Sequence, residues 1–119
     1  MKQEILKLEK NFFDLKFMND KDWLDMTLHD NFKECGKSGK LFNKEGTIKY
    51  LLSRTSNREI DIYNFECNKI NNKCYLIHYI TISDSEKFYR TSIWVEEENL
   101  KMIYHQASKY EEDVKLIKY

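Results

Sequence analysis

Ile5, Leu8, Phe12 and Leu15, joined by Leu6, Phe13 and Phe17, recur at helical spacing with lysine and glutamate between them. That period predicts a first helix of about four turns carrying a wide apolar stripe. Asn19-Asp20 offers an N-cap, Asp22 falls in the first turn, and Trp23, Leu24 and Leu28 continue as a short second helix that Asp30-Asn31 ends. Phe32 to Gly36 reads as a strand and Gly36-Lys-Ser-Gly39 as a turn. Asn43 caps a third helix whose apolar positions are Ile48, Leu51 and Leu52. Gly46 weakens its first turn by up to about 1 kcal/mol relative to alanine.

From Arg58 onward the period changes to two. Ile60 and Ile62 alternate, but Tyr63 and Phe65 then carry the apolar parity, and a parity switch within one strand predicts a β-bulge that bends the sheet. Asn71-Asn72 is a good hairpin turn because asparagine tolerates positive φ. Cys74 to Ile82 makes the next strand, Ser83 to Glu86 turns, and strands over 90–95 and 101–108 follow, joined through Glu96 to Asn99. The tail from Glu111 to Tyr119 is expected to add a short strand through Val114, Leu116 and Ile117. Three helices with one early strand, followed by an antiparallel meander of four, predict an α+β domain. A bent sheet with a long helix laid in its concave side encloses a cone with an open mouth. With no proline, repeat or linker, residues 1–119 read as one domain.

Alternation of side chains puts Arg90, Ser92 and Trp94 on one face of the penultimate strand. With Val95 opposite Leu100, counting outward sets Ser92 against Ile103 and Arg90 against His105. A cation, a hydroxyl, an indole and an imidazole then share one face, which predicts a pocket lined partly by polar groups. Tyr75, Ile77 and Tyr79 align with Trp94, Ser92 and Arg90 if the turn at Ser83–Glu86 is tight, giving the pocket apolar and aromatic walls. The other face carries Leu76, Ile80, Ile93, Val95 and Met102, with Tyr89 and Tyr104. So much outward apolar surface predicts a twofold dimer packed sheet against sheet.

Twenty basic residues balance 20 acidic ones, and the lysines are scattered among acids. Nucleic acid is therefore disfavoured as a partner, since phosphate binding needs a gathered basic surface. Cys35, Cys67 and Cys74 have no Cys-x-x-Cys spacing, which argues for a reducing compartment and small buried hydrophobes rather than disulfides or zinc. The N-terminus is charged and amphipathic from the start, and no apolar run approaches the roughly 20 residues of a membrane helix. These features predict a cytoplasmic protein with no membrane partner.

Several runs taken in order resemble the nuclear transport factor 2-like (SnoaL-like) superfamily, and within it a group of small bacterial domains without assigned function. They are Trp23-Leu24 leading to Leu28-His29-Asp30-Asn31-Phe32-Lys33-Glu34, then Ser38-Gly39, Asn43-Lys44-Glu45, Arg58 to Glu66, Arg90-Thr-Ser-Ile-Trp94 and His105-Gln-Ala-Ser108. The resemblance covers about Lys7 to Ser108. Two departures stand at the pocket rim: Glu97-Glu98-Asn99-Leu100 replaces an Asp-Gly-Arg-Trp-like turn, and Ala107 stands where glycine is expected. The resemblance implies the cone fold and the dimer, while its members range from isomerases, dehydratases and polyketide cyclases to binding and assembly domains.

Enzymes of this fold resembling ketosteroid isomerase need a carboxylate base inside the cone, and Glu34 is the one plausible base in this chain. Its alternatives are an ion-pair partner for Arg90 or a solvated strand position. His105 titrates near neutrality and is the second proton carrier, or else a hydrogen-bonded histidine beneath the pocket. His29 is placed at a helix end, where the dipole favours a cation, and His78 lies on the face opposite Arg90. His29, His105 and Glu34 lack the spacing of a zinc site, Gly36 to Gly39 lacks the phosphate-loop pattern, and no cofactor or metal is expected. Arg90, Ser92, Trp94, Tyr79 and Tyr75 suit a ligand site, because a guanidinium beside an aromatic face grips a carboxylate or planar anion. The expected function is binding of an anionic or aromatic small molecule. The alternatives are an isomerase, dehydratase or hydrolase using Glu34 or His105, or an interaction module whose dimer surface is the function.

Overall fold

A computed structural model describes all 119 residues. Four helices, α1 (Lys2–Asn11), α2 (Leu15–Met18), α3 (Lys21–Thr27) and α4 (Lys44–Leu52), accompany six strands. These are β1 (Leu28–Cys35), β2 (Leu41–Asn43), β3 (Asp61–Asn71), β4 (Cys74–Ser83), β5 (Glu86–Glu96) and β6 (Leu100–Lys109), in the sheet order β2-β1-β6-β5-β4-β3. All neighbours are antiparallel except β1 and β6, which run parallel. No helix is long and apolar enough to cross a membrane.

The four-turn first helix is in fact two. Phe12 and Phe13 close α1 with bonds to carbonyls three residues back, and Asp14 caps α2 by accepting from the Lys16 amide at 3.0 Å. The Leu15 amide is taken by Asn57 Oδ1 at 2.7 Å. A capping aspartate in mid-pattern thus outcompetes the periodicity, and both phenylalanines stay in the core. Asp20 and Asn43 cap α3 and α4, accepting from the Trp23 and Gly46 amides at 3.0 and 2.9 Å. A Cβ at Gly46 would sit 3.3 Å from the capping Asn43 oxygen, so the glycine leaves room for the cap. Helix α3 ends at Thr27 rather than Asp30, and His29 lies on β1. There Nε2 contacts Glu97 at 3.2 Å and Nδ1 accepts from the Asn31 amide, so His29 is not a helix cap.

The bulge falls where the parity switches. Pairing between β3 and β4 slips between Tyr63 and Glu66, and Asn64 stands at φ 53°. The turn after β4 is tight, with Asp84 and Ser85 at positive φ, and it aligns Tyr75, Ile77 and Tyr79 with Trp94, Ser92 and Arg90. Between β5 and β6 the register departs from expectation. Val95 pairs with Lys101, and an irregularity between Ile93 and Trp94 sets Ser92 against His105 and Arg90 against Ala107. The same slip brings Met102 opposite Trp94, into the core rather than onto the outer face. Ile80, on that outer face, is already buried. The three cysteines are free and half-buried, less enclosed than their surroundings implied. The tail runs extended and makes a single bridge, Tyr63 to Lys118, in place of a strand.

Candidate functional site

The concave face of the sheet and the helices enclose a cavity of about 610 Å³. Its inner wall is built from Glu34 on β1, Thr47 on α4, Arg58 in the segment before β3, Thr81 on β4, Arg90 on β5 and His105 on β6. Phe42, Tyr50, Ile60 and Phe88 supply the apolar wall, and residues 36–40 and the β4–β5 turn form the mouth. A second space of about 30 Å³, enough for one small group, lies behind Glu34, Thr47 and His105, against Glu9, Phe12 and Leu28.

Arg90 is held from two sides. Its Nε donates to Thr81 Oγ1 at 2.8 Å, and a terminal nitrogen contacts His105 Nε2 at 3.3 Å. Its guanidinium carbon stands 5.6 Å from the Phe13 ring centre and 5.9 Å from that of Phe88. The Arg58 guanidinium lies over Phe13 at 5.0 Å, the stacked geometry in which arginine keeps its charge away from bulk water. Burial and the neighbouring Arg90 charge lower the Arg58 pKa. Burial also holds the His105 imidazole well below its ordinary value, with Arg90 and Arg58 pushing the same way, so the ring is neutral. The other ring nitrogen, Nδ1, is 2.7 Å from Ser92 Oγ. Burial raises Glu34, against the pull of Arg58 and Arg90. The Thr47 hydroxyl and Arg54 Nε, both on the cavity wall, are buried without a hydrogen-bond partner.

Of the residues singled out from sequence, Arg90, His105 and Glu34 meet at the cavity, and Glu34 pairs with His105 across β1 and β6. Ser92 lies one layer deeper, against His105. Trp94, Tyr79 and Tyr75 point to the same face but into the core, not onto the cavity wall. Tyr79 and Trp94 instead donate to Glu9, at 2.5 Å from the phenol and 2.8 Å from the indole. Glu9, 1% exposed, was missed by the sequence reading. Its signal was a carboxylate four residues after Ile5 on the apolar stripe. Burial raises its pKa, opposed by the Tyr79, Trp94 and Ser92 hydrogen bonds and the Arg90 charge. Arg58, Thr47 and Thr81 were also missed; nothing in their local pattern distinguishes them from surface residues.

No protein-family model matches the chain, and no curated protein does. Solved structures do match. An NTF2-like protein of Cytophaga hutchinsonii superposes with a TM-score of 0.72 at 19% identity, over 91% of this chain and 97% of its own. A DUF3225-family protein of unknown function from Pectobacterium atrosepticum reaches 0.74 at 15% identity, over 92% and 87%. A protein of Parabacteroides distasonis, provisionally described as a ketosteroid isomerase, reaches 0.69 at 14%, over 89% and 85%. The bent, unclosed sheet, the helices on its concave side and these superpositions together show that the chain has the nuclear transport factor 2-like α+β fold.

Proposed function

We propose that the protein binds a small organic acid in the cone, with the ligand carboxylate held between Arg58 and Arg90. The observation that carries this reading is a buried guanidinium, Arg90, beside a half-buried one, Arg58, on one cavity wall, with no carboxylate of the chain in direct contact with either. The partners of Arg90 are the neutral Thr81 and His105, and Arg58, beside Arg90, forms no ion pair with a carboxylate while burial and the Arg90 charge act against its cation. A guanidinium cannot shed its proton, and a buried cation without a counter-charge is costly. An anion between the two relieves both. Glu34 and the unpartnered Thr47 hydroxyl favour an acid that also carries a hydroxyl or amino donor. Phe42, Tyr50, Ile60 and Phe88 favour an apolar or aromatic body, and the volume is that of an ordinary metabolite pocket.

Titration of the labelled protein with benzoate, mandelate and their amides tests this. The acids should shift resonances of cavity residues and the amides should not. Arg58→Ala and Arg90→Ala should each weaken binding about ten- to a hundredfold, the worth of a charge-assisted hydrogen bond. Cavity resonances indifferent to every acid at millimolar concentration would refute the site.

A second reading gives Glu34 a proton to carry. Its pKa is raised by burial and it faces the cavity, the condition for abstracting a proton beside a carbonyl. In the same titrations, uptake of solvent deuterium by a bound acid that stops in Glu34→Gln while binding persists would favour it. His105 then serves as a positioning group, since both of its ring nitrogens are engaged. We also propose that a second copy of the chain covers the outer face of β4, β5 and β6, where Leu76, Ile93, Val95, Tyr89 and Tyr104 stand half-buried with no helix over them.

A further inference from the structure

We propose that Ser92 and His105 form a buried relay that positions Arg90 for the anion by fixing the His105 ring in its Nδ1–H tautomer. The inference rests on the acid-binding reading above and deepens it.

The direction of the relay follows from donor chemistry. Arginine has no acceptor, so its 3.3 Å contact makes His105 Nε2 the acceptor and leaves that nitrogen without a proton. The ring is neutral, so its one proton sits on Nδ1 and is donated to Ser92 Oγ at 2.7 Å. The Ser92 hydroxyl proton is then free to point onward, and Ser92 is among the groups that favour the charged form of the buried Glu9. Glu9 accepts from the Tyr79 phenol on one oxygen and from the Trp94 indole on the other. From Arg90 through His105 to Ser92, each donor meets an acceptor only in this tautomer. In the opposite tautomer an N–H would face the guanidinium, and an imidazolium would set a third cation beside Arg58 and Arg90. Thr81 fixes Nε from the other side, so the guanidinium is clamped through two nitrogens and its second terminal nitrogen stays free for a ligand.

The ring nitrogen spectrum of His105, recorded without ligand, is the direct test, because the two neutral tautomers and the imidazolium give different ¹⁵N patterns. The wild type should show the Nδ1–H form at neutral pH. Ser92→Ala should move the ring toward the Nε2–H form and weaken benzoate binding about tenfold with both arginines in place. His105→Gln, whose amide oxygen can accept from Arg90, should bind benzoate within a few-fold of wild type, whereas His105→Leu should lose about tenfold. An Nε2–H ring or imidazolium in the wild type overturns the relay whatever binds. Equal benzoate affinity in wild type and Ser92→Ala overturns its positioning role. Benzoate binding to none of the proteins, with the tautomer as stated, overturns the anion site and with it the purpose assigned to the relay.

Discussion

His105 couples the cavity to pH. Its folded pKa is depressed by burial and by Arg90 and Arg58, while in the unfolded chain it titrates near about 6.5. Below that value the unfolded state takes a proton that the folded state refuses. The contribution to stability is therefore complete above about pH 6.5 and is lost as pH falls toward the folded pKa. Glu9 and Glu34 have the opposite sign. Their folded pKa values are raised, so what they contribute is complete below about pH 4.5 and is lost as pH rises through their folded values. His105→Gln should thus narrow the gap between urea midpoints measured just above and well below about pH 6.5; an unchanged gap would mean that His105 takes a proton in the folded state. At this scale the sequence was informative for one reason. Arg90, Ser92 and His105 share a face by simple alternation, and alternation survives a shifted register when the shift is an even number of residues. Glu9 was hidden because a carboxylate on a helix is ordinarily solvated, and only its place on the stripe marks it. Trp94 and Tyr79 read as pocket walls because a strand pattern gives the face and not the depth.

Asn64 shows how one element end is held by another. At φ 53° it donates its amide to the Ile117 carbonyl at 2.8 Å, accepts from the Ile117 amide at 2.7 Å, and donates from its side chain to Lys115 at 3.0 Å. The Tyr119 amide then reaches Ile62 at 2.9 Å, and its ring sits 6.1 Å from Phe65. The bulge is a clasp for the tail. Asn64→Gly keeps the backbone but forfeits two side-chain hydrogen bonds, about 1–3 kcal/mol in all. Asn64→Ala adds the strain of a left-handed backbone, about 1 kcal/mol more. Urea midpoints should fall in that order, and the Ile117 and Tyr119 amides should lose hydrogen-exchange protection. Full protection in Asn64→Ala would show that the tail is held elsewhere. The bulge itself was legible, because an apolar parity change leaves a mark in the sequence. The slip between β5 and β6 left none, since Trp94 and Met102 are both apolar and either register buries something. The parallel pairing of β1 with β6 was equally silent, as periodicity says which face a strand buries and not which strand it meets.

The whole molecule presents two unlike surfaces. One side of the sheet is closed by helices, and the other carries half-buried aromatic and aliphatic side chains, including the stacked pair His78 and Tyr89. With no net charge to keep copies apart, that side is suited to meet its own kind. Light scattering should give twice the chain mass at micromolar concentration, and Ile93→Glu should return it to the single mass with the fold intact by circular dichroism. A single mass for the wild type would refute the pairing. The α+β class and cone were legible at this scale because the helical and strand periods occupy separate halves of the chain.

Strand β6 lies between β1 and β5, although it follows both in the sequence. Residues 1–99 by themselves therefore make two sheet fragments with no edge in common: β1 with β2, and β3 with β4 and β5. Glu34 and His105 become neighbours only when β6, which carries His105, pairs with β1. The cavity thus exists only once β6 is in place, and a chain cut short before residue 100 would lose the cavity while keeping most of the strands that surround it.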